Sequence, residues 1–184
     1  MARDNRLMRE PEGAASGAEH ESSQFLTFKL DQEAFAIDIG LIREVLAFTT
    51  VTQVPRMPDY MRGVINLRGH VVSVVDLRLK LGLSPIQKTV ATCVIILDVV
   101  VDSVRTLLGA LVDSVQEVVD LTAEQISPPP RIGTRIDTDF IRGIGSRDEQ
   151  FLIILDIDRV LGAGEVVAVP AGTVADGPAA GDSR

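Results

Sequence analysis

From Gln24 to Leu30 the side chains alternate, with Leu26, Phe28 and Leu30 on one face and Phe25, Thr27 and Lys29 on the other. This is the two-residue period of a strand with one well-buried side. A tight turn over Asp31-Gln32-Glu33 sends the chain back, and Ala34 to Ile39 sets Phe35, Ile37 and Ile39 on one face, so the pair reads as a hairpin. Leu41, Ile42, Val45 and Leu46 follow at helical spacing and predict one or two helical turns. Thr49 to Pro58 is a loop or edge segment, because Pro55 and Pro58 could not donate from a central strand. Two strands are expected over Met61–Leu67 and His70–Val75, joined at Arg68-Gly69, where glycine is free to take positive φ. Asp76 reads as the N-cap of a short helix, Leu77–Leu81, with Gly82 as its C′ residue. Thr92–Leu97, Val104–Val112, Val115–Leu121, Phe140–Gly145 and Gln150–Leu155 are further strand candidates, and Asp156 caps a last short helix that Gly162 ends.

Part of this pattern occurs twice. Pro58-Asp59-Tyr60-Met61-Arg62-Gly63-Val64 matches Thr138-Asp139-Phe140-Ile141-Arg142-Gly143-Ile144, and at the same offset Val74-Val75-Asp76-Leu77 falls over Ile154-Leu155-Asp156-Ile157 and Gly82 over Gly162. A looser echo sets Leu41 to Leu46 against Ser114 to Val119, with Glu44 recurring as Glu117. Two equivalent halves, about 24–82 and 92–162, are expected. Short, evenly spaced strands with turn residues between them and no long amphipathic helix predict an all-β fold of small closed or nearly closed barrels. Halves of this size would be marginal alone and must lean on each other.

Residues 1–23 and 164–184 read as disordered tails, too poor in periodic apolar content to stay ordered, leaving one domain over 24–163. Each tail carries −2 of the formal −8, so the core keeps −4 and has no basic cluster; nucleic acid and anionic membranes are not expected partners. The single Cys93 sits in an apolar run and reads as a buried free thiol. The start has no apolar segment of a secretory signal, and Asp98, Asp102 and Arg105 interrupt the most hydrophobic stretch, so a cytoplasmic protein without membrane insertion is expected.

Chemistry is poorly represented. His20 lies in a tail and His70 stands alone in a turn, and there is no Cys-x-x-Cys, Gly-x-Gly-x-x-Gly, Walker loop or His-Glu-x-x-His. No enzyme, cofactor or metal is therefore expected. Asp76 and Asp156 could pass for an acid-base pair, but their equal spacing to Gly82 and Gly162 explains both as helix caps. Gly63 and Gly143 answer a backbone need, a bulge or a close approach, and for Gly63 room for a partner is an equal reading. Asn66-Leu67-Arg68-Gly69-His70 is where the repeat breaks, its counterpart being Ser146-Arg147-Asp148-Glu149-Gln150. A difference on an otherwise matched turn points to a task of one half, with Arg68 as interface anchor; the plain alternative is an arginine paired with a nearby carboxylate. On the expected helix, Arg43 reads as a solvated charge, and Glu44 is balanced between that and a role.

The segments Phe25 to Ile39, Ile42-Arg43-Glu44-Val45, Arg62-Gly63-Val64-Ile65-Asn66-Leu67-Arg68-Gly69 and Val74-Val75-Asp76-Leu77-Arg78 resemble the CheW-type chemotaxis coupling domain. Gly109 to Asp113, Val115, Glu117-Val118, Leu121 and Phe140 to Gly143 fit as well, so the likeness runs from about Gln24 to Leu161. It implies two intertwined five-stranded SH3-like β-barrels with a groove between them, and a non-catalytic adaptor linking the cytoplasmic tip of methyl-accepting chemoreceptors to the regulatory domain of a CheA-type histidine kinase, at membrane-associated arrays. It further implies an apolar inter-barrel groove rimmed by Arg68 and acidic groups that would receive a helix face, and partner-binding surfaces around Arg68, Asn66, Glu44, Ile42, Gly63 and Arg62. Two departures stand out: Ser73 where members of the family usually carry proline, and a longer hairpin at Val99 to Arg105. The alternatives are a coupling module for pili, gliding or gene expression and, from another class, a small-barrel enzyme or oligonucleotide binder.

Overall fold

The computed structural model describes residues 21–130 and 135–162. Beyond Glu21 to Ser23, both expected tails lie outside the described residues. The strands are β1 (Ser22–Leu30), β2 (Glu33–Asp38), β3 (Ile42–Ala47), β4 (Met61–Leu67), β5 (His70–Asp76), β6 (Cys93–Val101), β7 (Val104–Val112), β8 (Ser114–Thr122), β9 (Ile126–Ser127), β10 (Ile141–Arg147) and β11 (Gln150–Leu155). The helices are short: α1 (Leu77–Lys80) after β5 and α2 (Ile157–Gly162) after β11. Asp76 accepts from Leu79 N and Asp156 from Arg159 N, each at 3.2 Å, so both act as caps.

Two sheets result, ordered β8-β1-β2-β11-β10-β9 and β3-β6-β7-β5-β4. Replacing β8, β1, β2, β11 and β10 by their repeat counterparts gives β3, β6, β7, β5 and β4, so the sheets share one order. Each holds its place through a hairpin contributed by the other half: β1–β2 lies between β8 and β11, and β6–β7 between β3 and β5. The matched register extends to defects. Pairing of β4 with β5 shifts between Met61 and Gly63, and that of β10 with β11 between Ile141 and Gly143.

Apolar faces fix three core clusters. Phe25, Val119, Leu121 and Ile154 fill the first barrel, and Val74, Val94, Ile96 and Leu111 the second. The largest lies between the sheets, where Phe28 and Phe35 stack with centroids 6.0 Å apart among residues including Leu97, Val112 and Leu155.

Several expectations are corrected. The helix expected from Leu41 is a strand, β3, preceded by a 3₁₀ turn at Ile39–Leu41. Its register against β6 skips Arg43, and such a bulge turns the following residues to the opposite faces. Ile42 and Val45 thus come to one side, which mimics a helical period. The two glycines behave as expected, Gly162 ending α2 and Gly82 following α1 with φ 77°. Cys93 is half-buried, its Sγ 3.1 Å from Ala91 O. Ser73 is buried within regular pairing to Val64 and Leu108, so its strand is not distorted. The expected strand Thr92–Leu97 extends to Val101, and Asp102 and Ser103 (φ 50° and 65°) make the turn.

Candidate functional site

Strands β3 and β4 are the two margins of the second sheet, and a charge pair links them at the hairpin end of β4. Nη1 and Nη2 of Arg68, on the turn after β4, donate to Oε1 and Oε2 of Glu44 on β3, each at 2.9 Å. The turn sets this up. Arg68 (φ 51°) and Gly69 (φ 86°) are both left-handed, as a two-residue hairpin turn requires, and Asn66 Oδ1 accepts from Gly69 N at 2.8 Å. Asn66 shapes the turn, the turn presents Arg68, and Glu44 receives it. The Arg68 side chain stays 76% exposed against 24% for Glu44. A guanidinium engaged by both ends of a carboxylate has given up rotamer freedom before any partner arrives.

The bulge at Arg43 builds a second ion-pair group on the same strand. Arg43 Nη2 lies 2.9 Å from Asp98 Oδ2, and Arg105 Nε lies 2.7 Å from Asp98 Oδ1. Arg43 is therefore an exposed, solvated charge, as expected, that is also paired. The Asp98 side chain is only 7% exposed. The hydrogen bond from Arg105 holds its carboxyl below the usual carboxylate range; burial pushes the other way and Arg43 adds to the lowering. Two guanidiniums on one carboxylate leave positive charge in excess next to the Arg68–Glu44 pair.

The remaining expected residues are placed differently. Ile42 is half-buried opposite Leu97 and packs on the inter-sheet core. Gly63 is buried beneath the preceding loop, whose Thr52 exchanges two 2.9 Å backbone bonds with Val64. A Cβ on Gly63 would stand 2.1 Å from Thr52 O, so close backbone approach decides this glycine and it offers no surface. Arg62 is the residue skipped in the β4–β5 register, and it makes no ion pair among the described residues. Its repeat partner Arg142 pairs with Asp38 at 3.3 Å.

Two features escape sequence reasoning. Val45 looks like a core position by spacing, yet it is 40% exposed beside Ile42; only recognising the bulge at Arg43 would have found it. Arg78 is buried and contacts Asp113 at 3.2 Å, Ser84 Oγ at 2.6 Å and Asp31 at 3.7 Å. It ties the β1–β2 turn to α1 and to the end of β7. The break in the repeat is also smaller than it looks. In the first barrel Glu117 lies 3.9 Å from Arg147, which lies 3.5 Å from Asp148, so an arginine one position earlier meets the equivalent glutamate.

A cavity of about 380 Å³ next to the Ile39–Leu41 turn is lined by Asp38, Arg142, Asp156 and Asp158 among others, and Arg68 is not part of it. Leu41, Leu155 and Ile157 add apolar side chains to its lining, at the place where the chain passes from the first sheet to the second.

Residues 24–165 match the family model of the CheW-like domain. The chain belongs to the CheW-like family. It is 36% identical over 146 residues to the chemotaxis protein CheW of Klebsiella aerogenes, covering 79% of this chain and 86% of that protein. The crystal structure of the scaffolding protein TtCheW from Thermoanaerobacter tengcongensis superposes with a TM-score of 0.68 at 31% identity, covering 76% of this chain and 92% of that one. Protein PilI of Pseudomonas aeruginosa is 30% identical over 132 residues, 68% of each. The paired SH3-like barrels are thus the CheW-like fold, and the chain is a chemotaxis coupling adaptor. Its role is to couple chemosensory components.

Proposed function

We propose that the chain joins the cytoplasmic tip of chemoreceptors to the regulatory domain of a CheA-type histidine kinase, and that the region carrying Arg68, Asn66, Glu44, Ile42 and Arg62 is a partner surface. The observation that carries this reading is the bidentate Arg68–Glu44 pair: an arginine three-quarters exposed is held in one orientation on a rigid turn. A pre-ordered arginine loses less entropy on binding than a free one and is a preferred interface anchor. Ile42 and Val45 supply apolar area on the opposite face of the same strand, and Arg62 an arginine with no ion pair among the described residues. Coupling of this kind proceeds by holding two partners in a fixed relation, with no turnover, cofactor or metal. A cytoplasmic site at receptor arrays follows from these partners, without insertion into the membrane and without nucleic acid.

Arg68→Glu tests the surface. Measured with purified kinase and a receptor-tip fragment, it is expected to weaken at least one affinity about tenfold or more while the circular dichroism spectrum is retained. Unchanged affinity for both partners removes Arg68 from the site. The likeness to PilI favours a second reading, in which the same module serves a non-flagellar chemosensory pathway. Identifying the kinase captured by the full chain from its own cells separates the two.

A further inference from the structure

The β6–β7 hairpin outruns both of its neighbours. β3 pairs with β6 only along Cys93 to Leu97, and β5 with β7 only along Leu108 to Leu111. The hairpin's own ladder continues from Asp98–Leu107 to Val101–Val104. In the first sheet the corresponding margin is covered, since β8 pairs with β1 from Ser22 to Lys29. Residues 98–101 and 104–107 therefore form an arm that pairs with no other strand among the described residues. In a two-residue hairpin the closing pair, Val101 and Val104, exchanges both bonds and the pairs alternate from there. Val100 thus turns its N–H and C=O to the open side of β6. Val99 and Val101 are buried against the inter-sheet core, whereas Val100 is 57% and Val104 62% exposed. An uncovered apolar strand margin is a template for strand addition.

We propose that the open margin of β6 is a strand-addition site taken by the chain's own segment Glu165–Val169. Helix α2 packs on β6, and its Val160 and Leu161 share a core cluster with Val99 and Val101. The chain therefore leaves the described structure at Gly162 near the arm. Four residues later begins Val166-Val167-Ala168-Val169, a β-favouring run that Pro170 terminates. Extended chain from Gly162 to Val166 spans about 13 Å. The run has the length of the uncovered stretch, residues 98–101, and Glu165 just before it is opposite in sign to the excess left by Arg43 and Arg105 around Asp98 at the root of the arm. Addition of this strand completes the margin that β3, shorter than its counterpart β8, leaves open.

Hydrogen exchange of the backbone amides over residues 98–104 in the full chain tests the assignment, with Val167→Pro as the comparison. Proline removes a ladder donor from the segment and touches no residue of the folded core. The wild-type arm is expected to exchange at least about tenfold more slowly than the variant, at every protein concentration. Equal rates overturn the proposal. Protection that rises with concentration and survives Val167→Pro also overturns it, and assigns the margin to a second copy of the chain.

Discussion

An exposed arginine adds little to stability even when both ends of its guanidinium are engaged, because solvent screens the pair; contributions below about 1 kcal/mol are typical. The Arg68–Glu44 geometry is therefore better understood as presentation than as reinforcement, and this separates a binding residue from a structural one on the same strands. Gly63 is the structural one. It combines φ 129° with a backbone oxygen where a Cβ would go, and neither Thr52 nor Val64 can withdraw without breaking their paired bonds. Gly63→Ala is expected to cost about 3 kcal/mol, lowering the thermal midpoint by roughly 10 °C. Gly143→Ala should cost about half as much. It lacks the restricted φ, and its obstacles, a side-chain methyl of Ile126 at 2.8 Å and Ser127 O at 2.9 Å, stand farther off than Thr52 O does from Gly63. Equal losses in thermal unfolding would show that the Thr52 approach is not what fixes Gly63. In the sequence both glycines occupy the same place in the repeat. The difference lies in φ and in how closely the crossing backbone approaches, which the linear pattern does not carry.

At the scale of elements, legibility followed the regularity of the strands. The β1–β2 and β4–β5 hairpins and both caps were readable because alternation and turn chemistry act locally, even though β4 carries a bulge at Arg62. β3 was not, since a single bulged residue converts strand alternation into apparent helical spacing, and only pairing with β6 reveals it. The same bulge swings Arg43 to Asp98, so the misread strand and the unforeseen ion-pair group have one cause. Asp98 then ties β3 to the β6–β7 arm in a pH-dependent way. Its carboxyl titrates lower in the folded than in the unfolded state, so the unfolded chain binds more protons as acid is added. The contribution is complete above the unfolded value of about 4 and is lost as pH falls through the folded one. Denaturant unfolding followed from pH 7 down to pH 3 should show a shallower acid loss for Asp98→Asn than for wild type. Parallel curves would remove Asp98 from the acid response.

For the molecule as a whole, the exchange of hairpins has a consequence that two barrels arranged as separate halves would not have. Cutting between Gln87 and Ala91, an exposed stretch in which Val90 is fully accessible, leaves one piece with β1 to β5 and the other with β6 to β11. Neither piece then holds a complete sheet. The first lacks the hairpin between β3 and β5, and the second lacks the one between β8 and β11. The core cluster between the sheets also draws on both pieces, with Phe28, Phe35 and Leu77 from one and Leu97, Val112 and Leu155 from the other. Each isolated piece would expose four newly opened strand margins and much of its apolar surface, with too little area left to bury for independent stability. Pieces 1–89 and 90–184 are accordingly expected to be unfolded alone by circular dichroism and to regain strand signal and a cooperative unfolding transition when mixed in equal amounts. If either piece folds by itself, the barrels are separable units and the exchanged hairpins are not what makes the two halves depend on each other.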